Sequence, residues 1–234
     1  MLLLAFDTAT PAVTVALSDG RGVLASSLVV DARRHGELLA PGIEAVLREA
    51  GADRRDLTDI AVGVGPGPFT GLRVGLVTAR TLGHILEIPV HGVCTLDVLA
   101  AAAEIDEPAQ GGAVGPVGPD RSATGARSFL VATDARRKEV YWARYADRYT
   151  RVDGPRVDRP ADIATTDLVI GRGARLYPDA FPQASGPDDP SAGDLALLVA
   201  ARRVPLLDPE PLYLRRPDVA EPGARKSVLT RPVA

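Results

Sequence analysis

The stretch Gly63-Val64-Gly65-Pro66-Gly67-Pro68-Phe69-Thr70-Gly71-Leu72-Arg73-Val74-Gly75 constrains the fold more than any other part of this 234-residue chain. The apolar run from Ile60 to Val64 reads as a short buried strand. It enters a loop built from glycine and proline, which opens into a helix expected over about Thr70 to Leu86. A strand, a glycine-rich turn and a helix N-terminus together gather unpaired N–H groups and can hold an anion. The phosphate fingerprints nevertheless do not fit. A Walker loop needs Lys followed by Ser or Thr, and a dinucleotide loop needs glycine where Thr70 stands. Pro66 and Pro68 also lack the N–H donors that a phosphate cradle uses. The loop therefore reads as a rigid, shape-defining turn, with the Thr70 hydroxyl placed to cap the helix.

The helix carries a second constraint. Residues four apart share a face, so Gly71, Gly75, Ala79 and Gly83 form a stripe of small side chains. Each interior glycine costs about 1 kcal/mol relative to alanine, a cost that a solvated face would not require. The stripe calls for the close approach of a neighbour. That neighbour is either this protein's own sheet or helix, or a second protein, and the sequence leaves both open.

The remaining elements alternate as an α/β protein. Leu2 to Phe6 is a nearly continuous apolar strand, expected near the centre of a sheet. Ala12 to Leu17 follows after a turn, and Asp19-Gly20-Arg21-Gly22 links it to Val23–Val30 as a hairpin. Leu38, Leu39, Ile43, Val46, Leu47 and Ala50 recur at helical spacing, with Gly51 where a helix ends. Pro89 to Val93 is a strand and Thr95 to Ala103 a helix. These complete a first lobe over residues 1–103. Residues 104–126 are rich in glycine and proline and carry few bulky apolar groups, so they read as a flexible insertion. A smaller lobe follows over 127–234. In it, Phe129–Thr133 and Glu139–Tyr145 form a hairpin, Leu168–Ile170 a strand, Gly193–Arg203 a helix and Leu212–Leu214 a terminal apolar piece.

Chemistry is sparsely signalled. The three histidines, His35, His84 and His91, stand apart, with no metal-ligand spacing. There is no HExxH and no GxSxG. The single cysteine, Cys94, allows no internal disulfide and reads as a small buried hydrophobe in a reducing, cytoplasmic setting. The net charge of −3 gives no global basic footprint for nucleic acid. Arg136, Arg137 and Lys138 form one small basic cluster, expected as a solvated turn. The apolar start at Met1–Phe6 lacks a basic flank and is cut short by Asp7, so no signal peptide or membrane span is expected. The best enzymatic candidate is Asp7-Thr8-Ala9-Thr10, where a carboxylate and hydroxyls could meet a metal–nucleotide phosphate. The same residues also favour turns for purely local reasons.

Four segments carry a resemblance. MLLLAFDTAT at the start, GVGPGPFTGLRVG in the middle, DARRKEVYWARY in the hairpin and EPLYLR near the end resemble, in that order, the TsaB (YeaZ) family. The resemblance implies an actin/Hsp70/sugar-kinase-like (ASKHA) fold with two related lobes of mixed sheet and helices. It also implies a non-catalytic partner and activator of TsaD, which places a threonylcarbamoyl group on N6 of the adenosine following the anticodon in tRNAs reading codons that begin with A. TsaE, an ATPase, would join the assembly, tRNA would be met indirectly, and the chain would pair with a second copy when TsaD is absent. Catalytic relatives bind metal through paired histidines four apart on a helix. Here the pair is His35 and Leu39, so no metal and no tightly bound cofactor are implied, with ATP or ADP entering only within the complex. The implied interface comprises Leu38, Leu39, Gly71, Leu72, Gly75 and Ala79, and a residual nucleotide contact through Asp7, Thr8 and Thr10 stays open. An autonomous phosphotransferase of the same fold and a glycoprotease-like metallohydrolase are the alternatives.

Overall fold

The computed structural model describes residues 1–103 and 128–215. The expected insertion at 104–126 lies outside the described residues. Ten strands form two five-stranded sheets, ordered β3-β2-β1-β4-β5 and β10-β9-β6-β7-β8.

The first sheet is built from β1 (Leu3–Asp7), β2 (Ala12–Ser18), β3 (Val23–Val30), β4 (Asp59–Gly63) and β5 (Val90–Val93). β1 lies at its centre, antiparallel to β2 and parallel to β4. All five β1 residues are buried, because both faces of the sheet are covered. Leu4, Phe6, Val15, Ile60 and Val62 face helices α1 (His35–Glu49) and α2 (Phe69–Leu86). Leu3, Ala5, Ala16 and Ala61 point the other way, onto helix α5 (Ala192–Ala200). A strand alternates its side chains between two faces, so two covered faces produce the unbroken apolar run read from the sequence.

The second sheet repeats the first. β6 (Phe129–Asp134), β7 (Val140–Tyr145) and β8 (Arg151–Asp158) form a meander, with β9 (Val169–Ile170) parallel to β6 on its other side and β10 (Ala184–Ser185) beyond. Position for position, β6 corresponds to β1, β7 to β2, β8 to β3, β9 to β4 and β10 to β5. The α1 position shrinks to a single 3-10 turn at Pro160–Ile163, and the α2 position to the five-residue helix α4 (Arg172–Leu176). Helix α3 (Thr95–Ala101) follows β5 as α5 follows β10, and the two helices are exchanged between lobes. Leu96 and Leu99 of α3 pack with Phe129, Val131 and Tyr145 of the second sheet, while α5 packs on the first.

A buried polar cluster fastens this exchange. The Tyr145 hydroxyl donates to Asp97 on α3 at 2.7 Å, and Arg151 of β8 reaches both Asp97 at 3.4 Å and Cys94 at 3.2 Å. Burial pushes the Cys94 thiol up to about 12, so the lone cysteine is a buried filler, as its sequence setting suggested.

Two local expectations shift. Thr70 does not cap α2. Pro68 takes the cap position with φ −58° and ψ 133°, its carbonyl accepts from Leu72 N–H at 3.1 Å, and Thr70 is the second helical residue. The cap thus sits two residues before the threonine reading placed it, on a proline whose ring fixes φ. The piece at Leu212–Leu214 is irregular; Leu212 donates its N–H to Val64 O at 2.9 Å, tying this segment to the first lobe.

Candidate functional site

The turn after β1 meets the glycine-rich loop at the carboxyl end of the first sheet. Asp7 is completely buried there. Its carboxylate accepts from the Ala9 N–H at 2.6 Å and from the Thr95 hydroxyl at 2.7 Å. Burial outweighs these two bonds and pushes the Asp7 pKa up to about 6. A Cβ on Gly63 of the neighbouring strand would lie 1.8 Å from an Asp7 oxygen, and one on Gly67 would lie 2.1 Å from Ala9 O. Glycine at both positions lets the loop close over the Asp7 turn.

Thr8 explains the stripe on α2. Its hydroxyl donates to Gly71 O at 2.8 Å and accepts from Gly75 N–H at 3.0 Å. These are the carbonyl and N–H that a regular helix joins directly. The hydroxyl is therefore inserted into the ladder of α2. A Cβ on Gly71 would stand 2.6 Å from Thr8 O, and one on Gly75 would stand 2.6 Å from Thr8 Oγ1. Further along, Gly83 makes room for Val90. The neighbour that the stripe calls for is the protein's own sheet.

These placements locate two sets of expected site residues. Of the expected nucleotide contacts, Asp7 is sealed inside the fold, while Thr8, Thr10 and His35 line a recess of about 210 Å³; Thr10 Oγ1 accepts from Ala12 N–H at 3.2 Å, and the Thr10 carbonyl accepts from His35 Nε2 at 2.8 Å. Their side chains and the His35 ring are engaged inside the fold. Among the expected interface residues, Leu39, Gly71, Leu72, Gly75 and Ala79 are all buried against the first sheet, and Leu38 is half-buried at its margin. In the isolated chain the first five offer no exposed surface, because helices packed on a sheet turn their small and apolar stripe inward.

The surface that α2 does offer lies opposite. Arg73, Val77, Arg80, Thr81, His84 and Ile85 run along its outer side. Val77 is 61% and Ile85 67% exposed, the most exposed large apolar side chains of this lobe apart from Met1, though β3 also exposes Leu28 and Val30. The sequence reading passed over this stripe, although it follows from a helical wheel once the small-residue face is assigned inward. His91 pairs with Asp59 at 3.0 Å, joining β5 to β4. Among the described residues, no cluster of three or more His, Cys, Asp or Glu side chains is placed to hold a metal ion. No helix among them is long and apolar enough to cross a membrane.

Known proteins share this arrangement. Residues 29–177 match the family model described as "TsaD: tRNA N6-adenosine threonylcarbamoyltransferase". An uncharacterized protein of Mycobacterium tuberculosis is 41% identical over 221 residues, covering 92% of each chain. The "tRNA threonylcarbamoyladenosine biosynthesis protein TsaB" of Escherichia coli is 30% identical over 190 residues, covering 76% of this chain and 74% of that one. Among solved structures, YeaZ from Pseudomonas aeruginosa superimposes with a TM-score of 0.70 at 29% identity, over 91% of this chain and 99% of that one. Two related five-stranded lobes of the actin/Hsp70/sugar-kinase type, with homology to TsaB across most of the chain, place this protein in the TsaB (YeaZ) family.

Proposed function

We propose that this protein is a non-catalytic partner and activator of TsaD in forming N6-threonylcarbamoyladenosine beside the anticodon of tRNAs reading codons that begin with A. Its relatives named as tRNA threonylcarbamoyladenosine biosynthesis proteins support the pathway. The observation that carries the partner role is the outer stripe of α2. Val77 and Ile85 present apolar area on a helix held rigidly by Thr8 and the first sheet. Such a face suits a helix of a partner lobe, which would bury the two side chains between them. Arg73, Arg80 and His84 flank them as a polar rim.

The non-catalytic part of the reading rests on what the expected nucleotide and metal residues do. Asp7, Thr8 and His35 spend their polar atoms on Ala9, Thr95, Gly71, Gly75 and Thr10. TsaE would join the assembly, any ATP or ADP would be held by the complex rather than by this chain, and the same α2 face would pair two copies when TsaD is absent. The setting would be the cytoplasm.

The test is tRNA modification in vitro with TsaD, TsaE and supplied threonylcarbamoyl-adenylate, with and without this chain. Modification should require the chain, and the chain alone should modify nothing. Val77→Arg with Ile85→Arg should abolish both TsaD capture and stimulation while leaving the thermal unfolding of the isolated chain unchanged. Undiminished capture by the double variant would remove α2 from the interface, and modification without the chain would end the activator reading.

A further inference from the structure

A groove of about 410 Å³ opens between the lobes, beside the start of α2 and next to Arg73 at the near end of its outer stripe. That volume falls within the about 300–1,000 Å³ of small-ligand sites. One wall is aromatic. Phe69 and Tyr213 stack with ring centroids 5.5 Å apart, and they remain 47% and 39% exposed. Arg73 lies 3.8 Å over the Phe69 ring and donates to the Tyr213 hydroxyl at 2.8 Å, which fixes both rings in place. The opposite wall is the turn between β6 and β7, with Arg136 and Arg137, and Arg215 closes the end.

The turn is built in an unusual way. Arg136, Arg137 and Lys138 have φ of 61°, 54° and 62°, three successive side-chain-bearing residues in the left-handed region. Glycine would serve a hairpin there with less strain. In this turn Arg136 contacts Asp134 at 3.3 Å yet stays 55% exposed, so part of its five-donor fork faces the groove. Arg215 pairs with Glu139 and donates to Ala135 O. Arg136, Arg137 and Arg215 thus line the groove, with Arg136 paired to Asp134 and Arg215 to Glu139, in a chain whose net charge is −3. A second cavity borders the groove. On the far side of Pro68 and Arg136, which line both, lies a recess of about 210 Å³ that reaches Thr10 and His35, with Arg33 on its wall.

Exposed stacked rings flanked by guanidinium groups along an extended track are what a nucleic acid single strand needs: π-faces for its bases and fixed cations for its phosphates. We propose that this groove binds single-stranded RNA, one base against the Phe69–Tyr213 pair and the adjoining phosphates along Arg136 and Arg137. The choice of RNA over DNA rests on the tRNA-modification reading; the stacking and charge do not. A free nucleotide shares the chemistry of one base and one phosphate, but it would leave the recess toward Arg33 unfilled.

The experiment uses the isolated chain without TsaD, so its outcome does not depend on the partner reading. A fluorescein-labelled anticodon-loop RNA is titrated by anisotropy at several salt concentrations. Saturable binding is expected, weakened about tenfold or more by Tyr213→Ala. Arg136→Gln should lower the slope of log K against log salt by about 0.7 for each phosphate it leaves unneutralised. Arg54→Gln, on the exposed turn before β4, should bind as the parent does. Circular dichroism keeps the variants interpretable by confirming that each is folded. The proposal is overturned if the folded parent binds no RNA, if Tyr213→Ala and Arg136→Gln bind as the parent does, or if AMP or a glutamate-rich peptide binds as tightly as the RNA.

Discussion

Asp7→Asn should stabilise this protein, and by an amount that depends on pH in a defined way. Asp7 is fully buried, and its pKa stands at about 6 against 3.8 for an ordinary aspartate, so the folded state holds the proton more tightly than the unfolded chain. Between those two values the native state binds more protons, so stability falls as pH rises through that window. A shift of about 2 units corresponds to about 3 kcal/mol at 1.36 kcal/mol per unit. That stability is present in full below about pH 4 and absent above about pH 7. Asparagine keeps the shape: its oxygen can accept from the Ala9 N–H, and its amide can donate to the Thr95 hydroxyl oxygen. The variant carries no titrating group, so the stability difference between variant and parent isolates Asp7 from every other carboxylate. Urea unfolding at pH 4, 5, 6 and 7.5 should give a difference that is smallest at pH 4, grows through pH 6 and levels at about 3 kcal/mol in favour of the variant. A difference that stays flat with pH would refute the reasoning, because it would mean that the buried carboxylate is compensated as well when ionised as when protonated.

Three further outcomes follow from the same geometry. Gly75→Ala gains about 1 kcal/mol of helix propensity, but its Cβ would sit 2.6 Å from Thr8 Oγ1 and expel that hydroxyl from the ladder of α2. A net loss of about 1–3 kcal/mol is expected by urea unfolding. Gly36→Ala, on the exposed side of α1 with nothing within 4 Å of its new Cβ, should instead gain up to about 1 kcal/mol in the same assay. The Cys94 thiol, buried and pushed up to about 12, should react with Ellman's reagent at pH 8 only as fast as the chain unfolds. Prompt reaction in the native protein would mean that the Cys94–Asp97–Tyr145 cluster opens readily.

The first lobe was largely legible because its central strands β1, β2 and β4 are covered on both faces and so appear as apolar runs, and because α1 and α2 each bury one face. Boundaries moved by only a residue or two, as at Leu3–Asp7 and Phe69–Leu86. The second lobe was read in part. β8, with the sequence RVDGPRVD, borders only β7 and is half-exposed along most of its length, so it has no apolar pattern to find. β10 has two residues and α4 five, too short for any period to show. The candidate site was misread at one step. The residue types of the stripe were right and their direction was open, because the spacing of Gly71 and Gly75 gives the face but not what lies against it. The threonine that fills the stripe is 63 positions before Gly71, and no local pattern could have linked the two.

That link also explains how one helix can be glycine-rich and still serve as a platform. A helix with glycines at 71, 75 and 83 would be a poor scaffold alone, since each adds backbone freedom. Here each of those glycines is the place where something from the sheet side enters: the Thr8 carbonyl and hydroxyl at the first two, and the Val90 side chain at the third. The inner face is thereby fixed, and the outer face can hold Val77 and Ile85 in a constant geometry. The same insertion consumes the Thr8 hydroxyl, one of the groups that a nucleotide site at this turn would need. Rigidity of the face proposed for a partner and closure of the Asp7 turn are thus two consequences of a single contact, and replacing Thr8 with valine tests both together. The variant should lose stability, because Gly71 O and Gly75 N–H lose the hydroxyl that spans them, and it should lose TsaD capture in proportion. A Thr8→Val chain that unfolds less readily than the parent would show that α2 closes its own ladder and needs no help from the sheet.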